Sequence, residues 1–491
     1  RRSPISPLLQ TPRNAMPVKY LLFAACLAAG AASSAQAADS AKPNILFLFA
    51  DDMTYEAIAA LGNEEIQTPN LDRLVRRGTT FTHAYNQGGW SGAVCVASRT
   101  MLNTGRFLWH AHEVSGSLEA ERKAGRFWSD QMQAAGYTTY FTGKWHVQAK
   151  AEQAFNVVRH VRGGMPKQTP QGYNRPIEGQ EDAWSPFDPK FGGFWEGGKH
   201  WSEVVADDAT DFLTQAADDA NPFFMYIAFN APHDPRQSPK EFVDMYPLEK
   251  ILVPADFLAE YPHKDAIGCG KNLRDEALAP FPRTEYAVKV NRQEYYAIIT
   301  HMDREIGRIL DALEASGRTE NTYIAFSADH GLACGHHGLL GKQNMYDHSV
   351  RVPLILCGTK VEAGAKIEAP VYLQDIMATS LEIAGIEKPE HVEFRSLLPL
   401  TRGERPEQYE AIYGAYLDVQ RMVTEARWKL TVYPKNKTLL LFDLANDPLE
   451  MNNLAESPDH AAKVRSLFAR LLALQEETGD KLNLKAVFPE L

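Results

Sequence analysis

An α/β fold is predicted, built on a large, mostly parallel sheet flanked by helices. A smaller antiparallel subdomain and a terminal helix follow it. Three patterns carry this expectation. Short apolar runs end abruptly in charged or histidine-bearing loops, and amphipathic segments separate those runs. After about residue 400 the pattern changes to short strands divided by turns.

Asn44 to Ala50 (NILFLFA) is a continuous apolar run that ends in Asp51-Asp52. Apolar on both faces, it reads as a buried central strand of a parallel sheet. The design repeats along the chain. Tyr137 to Phe141 leads into Thr142-Gly143-Lys144-Trp145-His146, and Phe223 to Phe229 into Asn230-Ala231-Pro232-His233. Tyr323 to Phe326 leads into Ser327-Ala328-Asp329-His330-Gly331, and Pro353 to Cys357 is a further strand. Between them, Tyr295 to Leu313 carries Ile298, Ile299, Met302, Ile306, Ile309, Leu310 and Leu313 at helical spacing, and Leu373 to Ala384 is similar. In the C-terminal part, Ala411–Tyr416, Gln420–Glu425, Trp428–Tyr433 and Thr438–Leu444 read as an antiparallel meander. A helix after Ser457-Pro458 places Val464, Leu467, Phe468, Leu471 and Leu474 on one face. The expected organisation is a leader over 1–37, a main domain over 38–400 and a C-terminal subdomain over 401–491.

Composition narrows the function. The chain has 51 Lys plus Arg against 62 Asp plus Glu, a formal charge of −11. Residues 1–37 hold four basic side chains (Arg1, Arg2, Arg13, Lys19) and no acid, so the remainder carries 47 against 62, or −15. A broad basic surface for nucleic acid is excluded. Mean hydropathy is −0.33 and no long apolar run follows the leader, so a multi-span membrane protein is excluded too. From Met16 the leader has the layout of a secretory signal: Lys19, then apolar Leu21 to Ala31, then Ala35-Gln36-Ala37 as a cleavage site. It predicts an exported protein, periplasmic or extracellular, with a mature start near Ala38. Beyond it, Cys95, Cys269, Cys334 and Cys357 are too sparse for a disulfide scaffold.

In such sheets ligands bind outside the carboxyl ends of the strands. One polar group after a strand is usually a turn or a cap. Four loops built from Asp, His and Lys argue for one convergent site. Residues 163–202, dense in Gly, Pro and aromatics, are either a self-packed loop or an active-site wall offering stacking surfaces to a ring.

Around Cys95 the sequence reads Cys95-Val96-Ala97-Ser98-Arg99, continuing to Thr104-Gly105-Arg106. This stretch resembles the signature of the formylglycine-dependent (type I) sulfatases of the alkaline phosphatase superfamily. The Asn-Ile-Leu strand with Asp51-Asp52, Gly143-Lys144-Trp145-His146, Pro232-His233 and Asp329-His330-Gly331 stand in the family's order. So do Gly338-Leu339-Leu340-Gly341-Lys342 and Leu441-Phe442-Asp443-Leu444 with Asp447-Pro448. Each element alone is weak, but the ordered set is specific and covers nearly the whole chain after the leader.

The resemblance implies an alkaline phosphatase-like fold and a sulfuric ester hydrolase. It implies oxidation of Cys95 to formylglycine by a dedicated maturation enzyme. One hydroxyl of the aldehyde hydrate attacks sulfur, and the other loses its proton as the hydrate collapses and sulfate leaves. Asp51, Asp52, Asp329 and His330, together with the modified Cys95, are the implied ligands of one divalent cation. Three carboxylates suit calcium, while His330 leaves magnesium or manganese open. Arg99 is the implied orienting residue for the modified side chain. Lys144 and Lys342 are the implied clamps on sulfate oxygens. His146 is the implied base and His233 the implied acid and substrate contact; these two roles could be exchanged, or Lys342 could share the proton donation. Residues 98–106 read as the start of a helix, setting the nucleophile at a positive terminus. His337 is a candidate substrate contact, as are His336, His110 and His112, with packing or capping as the bland alternative. Ala97 stands where the commonest motif has Pro, which bears on the maturation system. The leading expectation is hydrolysis of a sulfate ester, most readily of a carbohydrate. The alternatives are a phosphonate monoester or phosphodiester hydrolase of the same superfamily, or a non-catalytic glycan-binding relative.

Overall fold

The structure, a computed structural model, describes residues 42–491 except Gln168. The leader expected over 1–37 lies outside the described residues. Eight strands form the main sheet, in the spatial order Lys366–Ile367, Thr79–Phe81, Leu354–Cys357, Thr322–Ala328, Asn44–Ala50, Phe223–Ala228, Thr138–Lys144 and Val157–Arg162. The five strands from Thr322–Ala328 to Val157–Arg162 are mutually parallel. Leu354–Cys357 runs antiparallel to both of its neighbours, which makes the sheet mixed at that side.

Asn44–Ala50 lies at the centre and is buried at every position. Phe47 and Phe49 pack with Tyr226 of the adjacent strand and Trp128 of a covering helix, at ring distances of 4.8–5.9 Å. A strand covered on both faces cannot alternate polar and apolar residues, which is why this segment reads as an unbroken apolar run.

The long helix runs from Glu285 to Ala315, ten residues earlier than the apolar spacing indicated. Its start is set by Thr284, whose hydroxyl accepts from the Ala287 amide at 3.1 Å. Within its first turns Glu294 and Asn291 are buried against Arg175 and Arg236, so an apolar count alone misses that part of the helix.

The second sheet comprises Thr438–Asp443, Trp428–Tyr433, Gln420–Glu425 and Ile412–Tyr416, antiparallel throughout. A fifth, parallel strand comes from far earlier in the chain: Gly88–Gly89 pairs with Ala415–Tyr416. Helix Ala461–Thr478 buries Val464, Leu467, Phe468 and Leu471. Both sheets belong to one compact unit spanning Lys42–Leu491. No described helix is long and apolar enough to cross a membrane.

A buried ion network stitches the second sheet to the loops of the first. Lys429, fully buried on strand Trp428–Tyr433, lies 2.7 Å from Asp347 and 2.8 Å from Glu450. Asp347 in turn lies 3.4 Å from Arg351, whose guanidinium covers the Tyr55 ring at 3.9 Å. Removing one member of a buried network leaves uncompensated charge. Lys429→Met is therefore expected to destabilise the protein by about 3–5 kcal/mol, read as a lower midpoint in urea unfolding.

Candidate active site

The strands of the main sheet deliver the site. Asp51 and Asp52 follow the central strand directly, and Asp329 follows its neighbour Thr322–Ala328. The Asp329 amide donates to Ala50 O at 3.2 Å, and the Asp51 amide to Ala231 O at 3.0 Å, so three strand ends are tied together. Asp52 adopts a positive φ of 66°, and its amide donates to Asp329 Oδ1 at 3.1 Å. Its carbonyl accepts from Tyr295 at 2.7 Å. These bonds hold a reversal that turns both adjacent carboxylates toward one point. Ligand atoms of Asp51, Asp52, Cys95 and Asp329 all lie within 4.8 Å of one another, and all four residues are buried.

Cys95 stands in the first turn of helix Val94–Thr104. The helix starts before the expected position and has no capping side chain at Ala93, which is why its start was not visible as a cap signal. The positive N-terminal end of the helix thus carries the Cys95 side chain beside the carboxylate cluster. Cys95 Sγ is 3.5 Å from Asp51 Oδ1 and 3.4 Å from Lys342 Nζ. Burial raises the thiol pKa, against the lowering effect of Lys144 and Lys342.

The carboxylates are balanced by three buried cations. Lys144 Nζ contacts Asp51, and Lys342 Nζ contacts Asp52. Arg99 donates through Nε to Asp329 at 2.9 Å and through Nη1 to the Lys144 carbonyl at 2.7 Å. Burial and then Asp329 push the Asp51 carboxyl well above its usual range. Asp329 is held well below its own range: burial would raise it, but Arg99, Lys144 and Lys342 outweigh that. Lys144 reaches its place through a bulge. The register with the edge strand shifts between Thr142 and Gly143. Gly143 has φ of 95°, and a Cβ there would lie 1.8 Å from Ala228 O.

His146 and His233 flank the cluster with opposite electrostatics. His146 has a positive φ of 51° and a buried Nδ1 with no partner. Burial, then Lys144 and Arg99, push its pKa down to about 2, so the imidazole stands neutral. His233 lies at a cis Ala231-Pro232 corner. Its Nδ1 donates to Asp234 O at 2.8 Å and lies 3.1 Å from Asp234 Oδ1. Burial and Lys342 would lower its pKa, but the carboxylates of Asp234, Asp52 and Asp51 hold it above the ordinary value, the state of a proton donor.

The donor set fits a hard divalent cation. Three carboxylates converge within 4.8 Å of one another, and burial followed by the Asp329 charge raises Asp51. Residues Asp51, Asp52 and Asp329 could hold such an ion. His330 is fully buried with Nε2 unpartnered among the described residues, but it stands outside the four-residue group. His233 instead forms alternative groups with Asp51 and Cys95 or with Asp52 and Asp234.

These side chains open into a cavity of about 470 Å³, lined by Cys95, His146, His233, Lys342 and Gln343 together with Gly92, Ala93, Gly164, Met165, Leu273, Arg274 and Asp275. His337 is not among them, and its reading as a substrate contact is corrected. Its ring stacks on Tyr346 at 3.9 Å, while Nε2 lies 3.0 Å from Leu449 O and 3.2 Å from Asp256. His336 is engaged by Asp256 at 2.9 Å and Glu56 at 3.4 Å, and His110 by Glu393 at 2.7 Å. His112 stacks on Trp90 at 5.0 Å.

The aromatic segment 163–202 packs largely on itself: Trp184 against Phe191 at 5.1 Å, and Phe194 stacked on His200 at 5.0 Å. It contributes only Gly164 and Met165 to the described lining. Tyr173 acts from behind, donating to Asp234 at 2.6 Å. Asp234, Arg274, Asp275 and Gln343 were missed in the sequence. Asp234 could have been found, because a carboxylate beside a candidate acid histidine is itself a signal. Arg274-Asp275 has none, being a charged pair in a loop without a motif.

Comparison with known proteins shows which family the chain resembles. The Sulfatase family model matches residues 43–386. The model described as N-sulphoglucosamine sulphohydrolase, C-terminal, matches residues 335–477. The chain is 28% identical to an arylsulfatase of Clostridium perfringens, covering 89% of this chain and 95% of that one. It is 26% identical to an N-acetylglucosamine-6-O-sulfatase of Bacteroides thetaiotaomicron, over 94% and 92%. The fold is shared with a phosphonate monoester hydrolase of Agrobacterium radiobacter, at a TM-score of 0.68 and 21% identity, over 89% of this chain and 96% of that one.

The packing of His146 yields a direct test. A Cβ on Gly164 would lie 2.4 Å from His146 Cε1. Gly164→Ala must therefore displace the ring. We expect kcat to fall by roughly ten- to a hundred-fold, as misplacement of a reacting group by about 1 Å does, with unchanged circular dichroism. Wild-type kcat in this variant would show that the ring position is not needed.

Proposed function

Since the chain belongs to the type I sulfatase family and is a sulfuric ester hydrolase, we propose that it is an exported enzyme cleaving the sulfate ester of a carbohydrate through a formylglycine made from Cys95. The observation that carries the reading is Cys95 in a helix first turn, facing three buried carboxylates and two buried lysines at the floor of one cavity. The N-acetylglucosamine-6-O-sulfatase relative supports the carbohydrate class.

Chemistry at this site needs charge stabilisation on the sulfuryl oxygens and two proton movements. A divalent cation held by Asp51, Asp52 and Asp329, with His330, would supply Lewis-acid polarisation and favour the ionised nucleophile. Calcium suits the three carboxylates. Arg99 orients the modified side chain from below, with Nη2 still free of a partner. Lys144 and Lys342 offer cations to the sulfuryl oxygens. His233, held by Asp234, gives its Nε2 proton to the departing alcohol oxygen. His146, neutral, takes the proton released when the hydrate collapses and sulfate leaves. The buried floor excludes bulk water, so each of these charges acts in a low dielectric.

A phosphonate monoester hydrolase is the second reading, favoured by the shared fold. Sulfate and phosphonate esters of one alcohol, assayed side by side, separate the two: kcat/KM is expected to favour the sulfate. Peptide mass analysis of active protein from its native host is expected to show Cys95 as the aldehyde; a thiol throughout would sink the formylglycine proposal. Cys95→Ala is expected to reduce turnover to background, and removal of divalent ions by a chelator to suppress it reversibly.

A further inference from the structure

Resting on the sulfatase reading, we propose that Arg274 sets substrate choice by binding a second anionic group, a carboxylate or a sulfate, on the sugar that carries the scissile sulfate.

Four basic side chains surround the cavity floor, and they differ in exposure. Side chains of Arg99 and Lys144 are 0% exposed and Lys342 2%, whereas Arg274 is 36% exposed. The first three are committed to the carboxylate cluster. Arg274 is on the cavity wall, in the short turn Arg274–Leu278, and contacts none of Asp51, Asp329 or Cys95. A cavity of about 470 Å³ falls in the size range that encloses a whole small molecule. The scissile group at Cys95 fills only one end of it.

The guanidinium is fixed in place but not fully used. Nε donates to Asp275 Oδ1 at 2.9 Å, and Nη2 contacts the same oxygen. Nη2 is also 3.6 Å from Asp234 and 3.5 Å from His233 Nε2. Neither carboxylate is dedicated to Arg274. Asp275 accepts from Gln343 at 2.6 Å and lies 3.9 Å from Lys342, and Asp234 serves Tyr173 and His233. Nη1 faces only the Met165 thioether, a weak acceptor. Nη1 of a rigid, permanently charged fork is thus left at the cavity wall without an oxygen partner among the described residues. A carboxylate or sulfate oxygen is the anionic acceptor that this charged donor would hold most strongly.

The test compares wild type, Arg274→Ala and Arg274→Lys, all as the full, Cys95-modified chain. The substrates are 4-nitrophenyl sulfate and a panel of hexosamine sulfates and uronate-containing disaccharides, each with or without a second anion. Wild type is expected to prefer members bearing the second anion. Arg274→Ala is expected to lower the ratio of kcat/KM on the best such sugar to that on 4-nitrophenyl sulfate by about tenfold or more, mainly through KM, with Lys restoring part of it. An equal loss on both substrate classes, or a wild-type preference for singly charged sugars, would overturn the inference and leave Arg274 as a support for His233. Failure of wild type to cleave any sulfate ester would sink the sulfatase reading itself.

Discussion

Charge balance in a space closed to water is the constraint on which the rest of the structure depends. Asp51, Asp52 and Asp329 converge at the carboxyl ends of two central strands, where each would be intolerable alone. Arg99, Lys144 and Lys342 make the arrangement possible, and each arrives from a different element: a helix, a strand bulge and a loop. The covering layers then keep these elements in register. A chain with a large negative charge can in this way still hold a small site shaped for an anion.

Much of this was legible in the sequence because the physics is local. A strand buried on both faces must be apolar throughout, so its end is visible as an abrupt change to Asp51-Asp52 or Asp329-His330. The C-terminal meander was visible because its turns are short and polar. What stayed hidden depends on pairing across the chain. Gly88–Gly89 carries no apolar signal, since its role as a strand comes only from Ala415 and Tyr416. The antiparallel direction of Leu354–Cys357 is likewise a property of its neighbours.

Histidines divided along the same line. His146 and His233 follow buried strands and stand at the cavity. His336 and His337, also next to a site motif in sequence, turn away because Gly335 and Gly338 break the chain direction and Asp256 captures both rings. The aromatic segment shows a related limit. Its composition suggested a surface for rings, yet its one aromatic tie to the site residues, among the described residues, is a tyrosine hydroxyl on Asp234.

The pairing of Gly88–Gly89 with Ala415–Tyr416 also imposes an order of events. The helix bearing Cys95 begins a few residues after Gly89, and in the folded chain Cys95 is only 2% exposed. Residue 95 is synthesised long before residue 415, so this strand pairing is completed late. Under the formylglycine proposal, a maturation enzyme would meet this segment before that pairing forms. Closure of the second sheet thus joins the last fifth of the chain to the segment just before Cys95.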